Sequence, residues 1–181
     1  IWGATVEEEF YYTGRPDAQG FGDGHVFDLG GGVTVEAIHL PGHTRGHIAF
    51  HIKSEYSLFV GDTIFAMGCG RVNEGSMEEM WNSVNQFRTL SPNTYVYCGH
   101  EYTEANSRFA LSIEPGNRAL QQRATVVANQ RARGEMTCPS TIGDELKTNP
   151  FMRCASPEIR KFLNLEAATD AEVFAELRTR K

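Results

Sequence analysis

The sequence predicts an α+β protein in which a strand-rich part, residues 1–102, is followed by a helical part, residues 103–181. Three observations lead there. The first hundred residues alternate short apolar runs with glycine-rich turns such as GFGDGH and LGGG, the punctuation expected between strands. Within them, YSLFVGD and TYVYCGH are continuous apolar runs that suit strands covered on both faces. Beyond Thr103 the apolar spacing becomes helical and the segments are bounded by capping residues. There is no internal repeat and no low-complexity tract.

The elements follow in chain order. HLPGHTRGHIAFH, residues 39–51, spaces His39, His43, His47 and His51 four apart, the interval that aligns side chains on a helix. Pro41, Gly42 and Gly46 argue against a helix, because an interior proline lacks a donor and clashes with the preceding turn. VTVEAIHL before the loop and HIAFHI after it both alternate, with Ile48, Phe50 and Ile52 on one face, so the segment reads as strand, loop, strand. The even spacing is then a coincidence of register. Only the loop histidines are free to face a common site, and His43 is the leading candidate. His47 reads as a packing or supporting residue, His39 and His51 as strand residues, and His25 as turn surface.

Ser76 and Glu79 form a capping box ahead of a helix whose Met77, Met80, Trp81, Val84 and Phe87 make a core stripe. Thr103 is expected to cap a helix ending before EPGN, and Asn117 the next, carrying Leu120, Ala124 and Val127 to a stop at Gly134. Ser156 and Pro157 stand in the Ncap-N1 order, and Thr169 with Glu172 makes a second capping box before VFAELRTRK. That last helix ends in the basic residues Arg178, Arg180 and Lys181.

A chain of 181 residues, 40% hydrophobic and 22% charged, supports one substantial core of a soluble globular protein. A net charge of -6 and a pI near 5.5 argue against nucleic acid and anionic membrane as partners. No apolar run approaches the roughly 18 to 20 residues that span a bilayer, and no signal-peptide pattern occurs. Cys69, Cys98, Cys138 and Cys154 lack C-x-x-C spacing and read as reduced thiols of a cytoplasmic protein. Oligomeric state has no signature in the sequence.

Three segments share one design: a strand runs out, a glycine follows, and a potential metal ligand comes next. They are Gly42-His43, Gly61-Asp62 and Gly99-His100. Glycine allows backbone angles and approaches closed to other residues, and side chains at the carboxyl ends of strands converge in a crevice. Two imidazoles and a carboxylate make a transition-metal donor set.

LPGHTRGH, GDTIFAMGCGR, EGSMEEMWNS, YCGHEYT, CPSTIGDELKTNPFMR and LRTRK together resemble glyoxalase II, the hydroxyacylglutathione hydrolases of the metallo-β-lactamase superfamily. The resemblance runs from about Val33 to Lys181. It implies an αββα sandwich with a C-terminal helical domain, here incomplete at the N-terminus, and two divalent metal ions, zinc first with iron or manganese as alternatives. His43 would bind one metal, His100 the other, and Asp62 would bridge them and orient the hydroxide they activate. The implied reaction is hydrolysis of glutathione thioesters, S-lactoylglutathione to lactate and glutathione, as in methylglyoxal detoxification. Arg71, Tyr102, Arg178 and Lys181 match positions that contact the glutathione moiety, while Asn73 stands where several members carry an aromatic residue.

The family's H-x-H-x-D-H motif, source of the other four metal-binding side chains, occurs nowhere in this sequence, and Ile1 aligns just past its expected place. A fragment of a longer protein is therefore expected, with exposed strand edges and apolar surface. The competing reading is a persulfide dioxygenase with one iron held by two His and one carboxylate; the helical domain and the Arg178/Lys181 tip speak for the hydrolase. A third is an inactive, metal-poor piece. For the 181-residue chain alone the expected outcome is weak or no thioester turnover, measured by loss of the thioester with metal supplied; full activity would contradict it.

Overall fold

The computed structural model describes residues 3–6, 9–10 and 20–181. Its centre is a six-stranded sheet with the spatial order β11-β10-β7-β6-β5-β4. The strands are β4 (Val26–Asp28), β5 (Thr34–His39), β6 (Ile48–Ile52), β7 (Ser57–Gly61), β10 (Tyr95–Cys98) and β11 (Ser140–Thr141). β7 and β10 are parallel, and every other neighbouring pair is antiparallel. The parallel pair demands a crossover, and the chain makes it through the small hairpin β8 (Ile64–Phe65) and β9 (Gly68–Cys69) and the helix α1 (Met77–Gln86). Ahead of this sheet β1 (Gly3–Val6), β2 (Glu9–Phe10) and β3 (Gly20–Phe21) form a three-stranded sheet ordered β2-β1-β3. The remainder of IWGATVEEEF lies outside the described residues.

Opposed residues of a ladder share a face, so the pairings sort the sheet. Ile38 lies opposite Ala49, His51 opposite Leu58, and Leu58 opposite Val96; this face is covered by α1 and the C-terminal helices. The other face carries Phe27, Phe50, Phe59 and Tyr97, with Phe27 edge-on to Phe50 and Phe59 stacked on Tyr97 at 4.8 Å. Ile48, Phe50 and Ile52 share that second face, as the alternation predicts. The expectation that β7 and β10 are covered on both faces needs correction: Leu58, Val60 and Val96 are buried, whereas Phe59 is 43% and Tyr95 47% exposed. A continuous apolar run records that both faces avoid charge, and here one of them is aromatic and partly open to solvent.

The helices are α2 (Thr103–Ile113), α3 (Arg118–Ala132), α4 (Ile142–Thr148), α5 (Pro157–Leu163) and α6 (Asp170–Arg180). Both capping boxes form in full, at Ser76/Glu79 and Thr169/Glu172, and Asn117 caps α3 by accepting from the Leu120 amide at 3.1 Å. Thr103 does not cap α2. The N-cap is Tyr102, with no side-chain bond, and Thr103 is buried as the first helical residue. Ser156 precedes Pro157 as expected, but its hydroxyl donates to Glu114 rather than to the helix. Met80, Trp81, Val84 and Phe87 of the first stripe are buried with Phe151, Phe174 and Leu177, joining sheet and helices in one core. Ala110, Leu120 and Val127 close α2 and α3 around Met67 as a second cluster.

His51 is part of the helix-facing core, 6% exposed, and its Nδ1 has no hydrogen-bond partner among the described residues. Burial, helped by the charge on Lys53, lowers its pKa from 6.5. The unfolded chain therefore takes up this proton at a higher pH than the folded one, so His51 leaves stability intact above pH 6.5 and reduces it as the pH falls toward the lowered folded value. The urea midpoint is expected to drop with acidification through this window, and His51→Leu to flatten that part of the profile.

Candidate metal and substrate site

The ends of β5, β7 and β10 meet. His43 sits in the loop after β5, Asp62 directly after β7, and His100 two residues after β10. His43 Nε2 lies 3.5 Å from Asp62 Oδ2, and His100 Nδ1 lies 2.9 Å from Asp62 Oδ1. Each imidazole thus addresses a different oxygen of one carboxylate.

The backbone makes this possible. Gly61 has φ +52°, in the left-handed region, and a Cβ there would lie 2.7 Å from the His47 ring. That ring packs on the strand end: its Nε2 is 3.1 Å from the Val60 carbonyl oxygen and 3.2 Å from the Asp62 amide, donating to the first when protonated and accepting from the second when not, while burial lowers its pKa. At Gly99 any side chain would collide with Asp62 Oδ1. His47 therefore supports Asp62 through the backbone. His39 is engaged elsewhere, with its Nε2 2.7 Å from the Arg45 carbonyl oxygen, and His25 is exposed at a turn.

A carbonyl oxygen only accepts, so the 2.9 Å contact with Arg71 O puts the proton of a neutral His43 on Nδ1. Its Nε2 lone pair then faces the Asp62 carboxylate across 3.5 Å, two acceptors that need a proton or a cation between them. Among the described residues no group of three or more His, Cys, Asp or Glu side chains surrounds one metal position. The arrangement explains why: the imidazoles flank opposite oxygens of Asp62 and do not converge on one point. Cys98, nearby on β10, has its thiol pushed up to about 12 by burial and the adjacent Cys138.

A cavity of about 470 Å³ opens beside these groups, and its walls include His43, Asp62, Arg71, Tyr102, Arg178 and Lys181. Tyr102 is half exposed and stacks parallel to His100, centroids 5.2 Å apart, with Phe65 edge-on to both. Arg178 crosses from α6 and donates from Nη1 to Cys69 O at 2.9 Å, with its guanidinium over Phe151. Lys181 lies 5.2 Å above the Phe109 ring, and burial together with Arg178 lowers its pKa.

Phe65, Cys69, Ala105 and Asn106 also line the cavity and carry no polar motif that would single them out in the sequence. Asn106 donates to Ala66 O at 3.1 Å. Beneath them, Glu145 is fully buried and accepts from the Met67 amide at 2.8 Å, from Asn149 at 2.9 Å and from Arg123 at 2.7 Å. Asn149 also donates to Gly68 O at 2.9 Å. Met67 has φ 56°, strained for a side-chain-bearing residue, so these bonds hold the β8–β9 turn that carries Cys69, Gly70 and Arg71 to the cavity.

Fold and site together define a metallo-β-lactamase-type α+β protein with a helical second part. The Metallo-beta-lactamase superfamily model matches residues 3–100 and the model described as Hydroxyacylglutathione hydrolase C-terminus matches residues 101–181, and the chain belongs to this hydroxyacylglutathione hydrolase family. A hydroxyacylglutathione hydrolase of Methylococcus capsulatus is 51% identical over 159 residues, covering 88% of this chain and 62% of the relative. One from Rhizobium etli is 44% identical over 176 residues, covering 97% and 68%. The chain thus spans 62% and 68% of the length of these two relatives, less than the whole protein in each case. Among solved structures, a metallo-beta-lactamase from Staphylococcus aureus aligns with a TM-score of 0.59 at 19% identity, covering 99% of this chain and 48% of that one. ETHE1 from Myxococcus xanthus aligns with a TM-score of 0.55 at 19% identity, covering 97% and 65%. These two likenesses concern the fold alone.

Replacing Glu145 by Ala would leave the Arg123 guanidinium and the Met67 amide without their buried acceptor. Removing one partner of a buried ion pair costs about 3 to 5 kcal/mol, so Glu145→Ala is expected to lower the urea midpoint substantially, with Glu145→Gln losing less.

Proposed function

We propose that this sequence carries part of the active site of a metal-dependent thioester hydrolase whose substrate is a glutathione thioester, S-lactoylglutathione first among them. One observation supports the reading above the others: the Asp62 carboxylate is flanked on separate oxygens by His43 and His100 at the wall of a cavity that also holds cationic and aromatic side chains. His43, Asp62 and His100 are the residues that would hold divalent cations, Asp62 as the bridge. Zinc is the metal proposed, and iron or manganese suits the same donors. A divalent cation bound there would lower the pKa of a water toward neutrality and polarise a carbonyl oxygen.

The chain's own residues supply position and charge. Arg71 O holds the His43 ring through Nδ1, directing Nε2 at the Asp62 side of the site. His47 and the tight backbone at Gly61 and Gly99 hold Asp62 between the imidazoles. Arg71, Tyr102 and Lys181 are the proposed contacts for the tripeptide, whose two carboxylates suit cations. Arg178 has a divided role, since its bond to Cys69 O commits part of the guanidinium to the cavity wall. Binding the tripeptide would present the thioester to the Asp62 region and gain rate through orientation.

No helix of the described residues is long and apolar enough to cross a membrane. The four cysteines are thiols, and we place the protein in a reducing compartment such as the cytoplasm, with a small molecule as its partner.

The test is zinc binding by equilibrium dialysis with Asp62→Ala, together with thioester hydrolysis by the sequence joined behind an H-x-H-x-D-H segment. Asp62→Ala is expected to weaken zinc binding by about 100-fold or more, as loss of a ligand should exceed the 10- to 100-fold cost of losing a supporting partner. Lys181→Ala is expected to raise KM several-fold with kcat nearly unchanged. Oxygen consumption with glutathione persulfide and no thioester cleavage would overturn the reading in favour of a dioxygenase.

A further inference from the structure

Cys98, the last residue of β10, and Cys138, two residues ahead of β11, lie side by side at the end of the β10–β11 ladder. β10 and β11 pair Tyr95 with Thr141 and Val96 with Ser140, and just past those rungs the Cys138 thiol donates to Val96 O at 3.7 Å. Their sulfurs are 3.8 Å apart, and both residues are only partly buried. The other two cysteines differ: Cys69 and Cys154 are buried in the core.

The two segments are also fixed beyond the thiols. On one side the ladder holds Val96 to Ser140. On the other, the Thr137 amide and hydroxyl donate to Glu101 at 2.9 and 2.6 Å. The thiols are therefore bracketed by contacts that hold the two segments together, and closing the bond asks the sulfurs to approach from 3.8 Å to the roughly 2.05 Å of a disulfide.

From this geometry we infer that Cys98 and Cys138 form a reversible disulfide when the protein meets a low-molecular-weight disulfide such as glutathione disulfide. The exchange proceeds in two displacements. One cysteine sulfur attacks a sulfur of the oxidant, forming a mixed disulfide and releasing one glutathione thiolate, which takes up the proton the protein thiol has lost. The second cysteine then attacks the protein sulfur of the mixed disulfide, releasing the second glutathione in the same way. Two protein thiols are oxidised to one disulfide, and one glutathione disulfide is reduced to two thiols. The bond would tie the strand end that carries His100 to the segment leading into α4. The pair lies outside the cavity lining, and the inference stands apart from the proposed hydrolase activity.

The experiment uses the whole chain, first reduced, then held with excess glutathione disulfide under native conditions. Thiols counted after denaturation are expected to fall from four to two, and non-reducing peptide maps to contain the Cys98–Cys138 linked pair. The oxidised form is expected to unfold roughly 5 °C or more above the reduced form, because the bond constrains the unfolded chain. Dithiothreitol should reverse both changes. In Cys98→Ser, Cys138 should stop at a single glutathione adduct. Four remaining thiols, adducts at both cysteines without a linked peptide, or a bond involving Cys69 or Cys154 would each overturn the inference. The peptide map of the unsubstituted protein decides the matter even if the variant folds poorly.

Discussion

The site depends on how closely three strand ends are packed around one carboxylate. Asp62 accepts from His100 on one oxygen and faces His43 with the other, and the chain at Gly61 and Gly99 comes so near that a single added carbon would displace it or its neighbours. Such spacing fixes the carboxylate without any large side chain to wedge it. It also concentrates acceptors in one place, and a cation is the natural remedy for that excess. The central parallel strands β7 and β10 bring Asp62 and His100 side by side, and the β5–β6 turn supplies the third group.

Much of this is readable in the residues, and the reasons are local. Proline and glycine inside the histidine run rule out a helix; alternation marks β5 and β6; paired Ser/Glu and Thr/Glu spacings mark the starts of α1 and α6. Gly42-His43, Gly61-Asp62 and Gly99-His100 stand out because each couples an unusual backbone to a ligand-type side chain, and the structure brings those three side chains together. What escapes sequence reading is tertiary. Glu145 and Asn149 look like ordinary helix and turn residues, yet they hold the strained Met67 turn from 78 and 81 positions away in the chain. Thr103 has the composition of a cap but lies one residue too late, where burial claims it. The exposed aromatic face of β7 was equally hidden, since an apolar run says nothing about which side a neighbour covers.

The basic tip of α6 shows how one group can serve two structural purposes. Arg178 anchors the end of β9 through a carbonyl oxygen while its guanidinium lies across Phe151. Lys181 rests on Phe109, its ammonium brought into a half-dry setting beside that arginine. Favourable charge at a helix C-terminus and cavity electrostatics therefore coincide, which is why sequence spacing alone could not separate them.

β11 is the smallest of the six central strands, and it arrives from the helical part of the chain. By hydrogen bonding along β10 it occupies what would otherwise be a free sheet margin, the kind of surface on which foreign chains dock and fibrils start. The sheet-bearing half of the molecule is thus chaperoned by its own C-terminal half: cleaving the polypeptide between them would bare a β10 edge and invite self-association, so the two are poor candidates for separate expression.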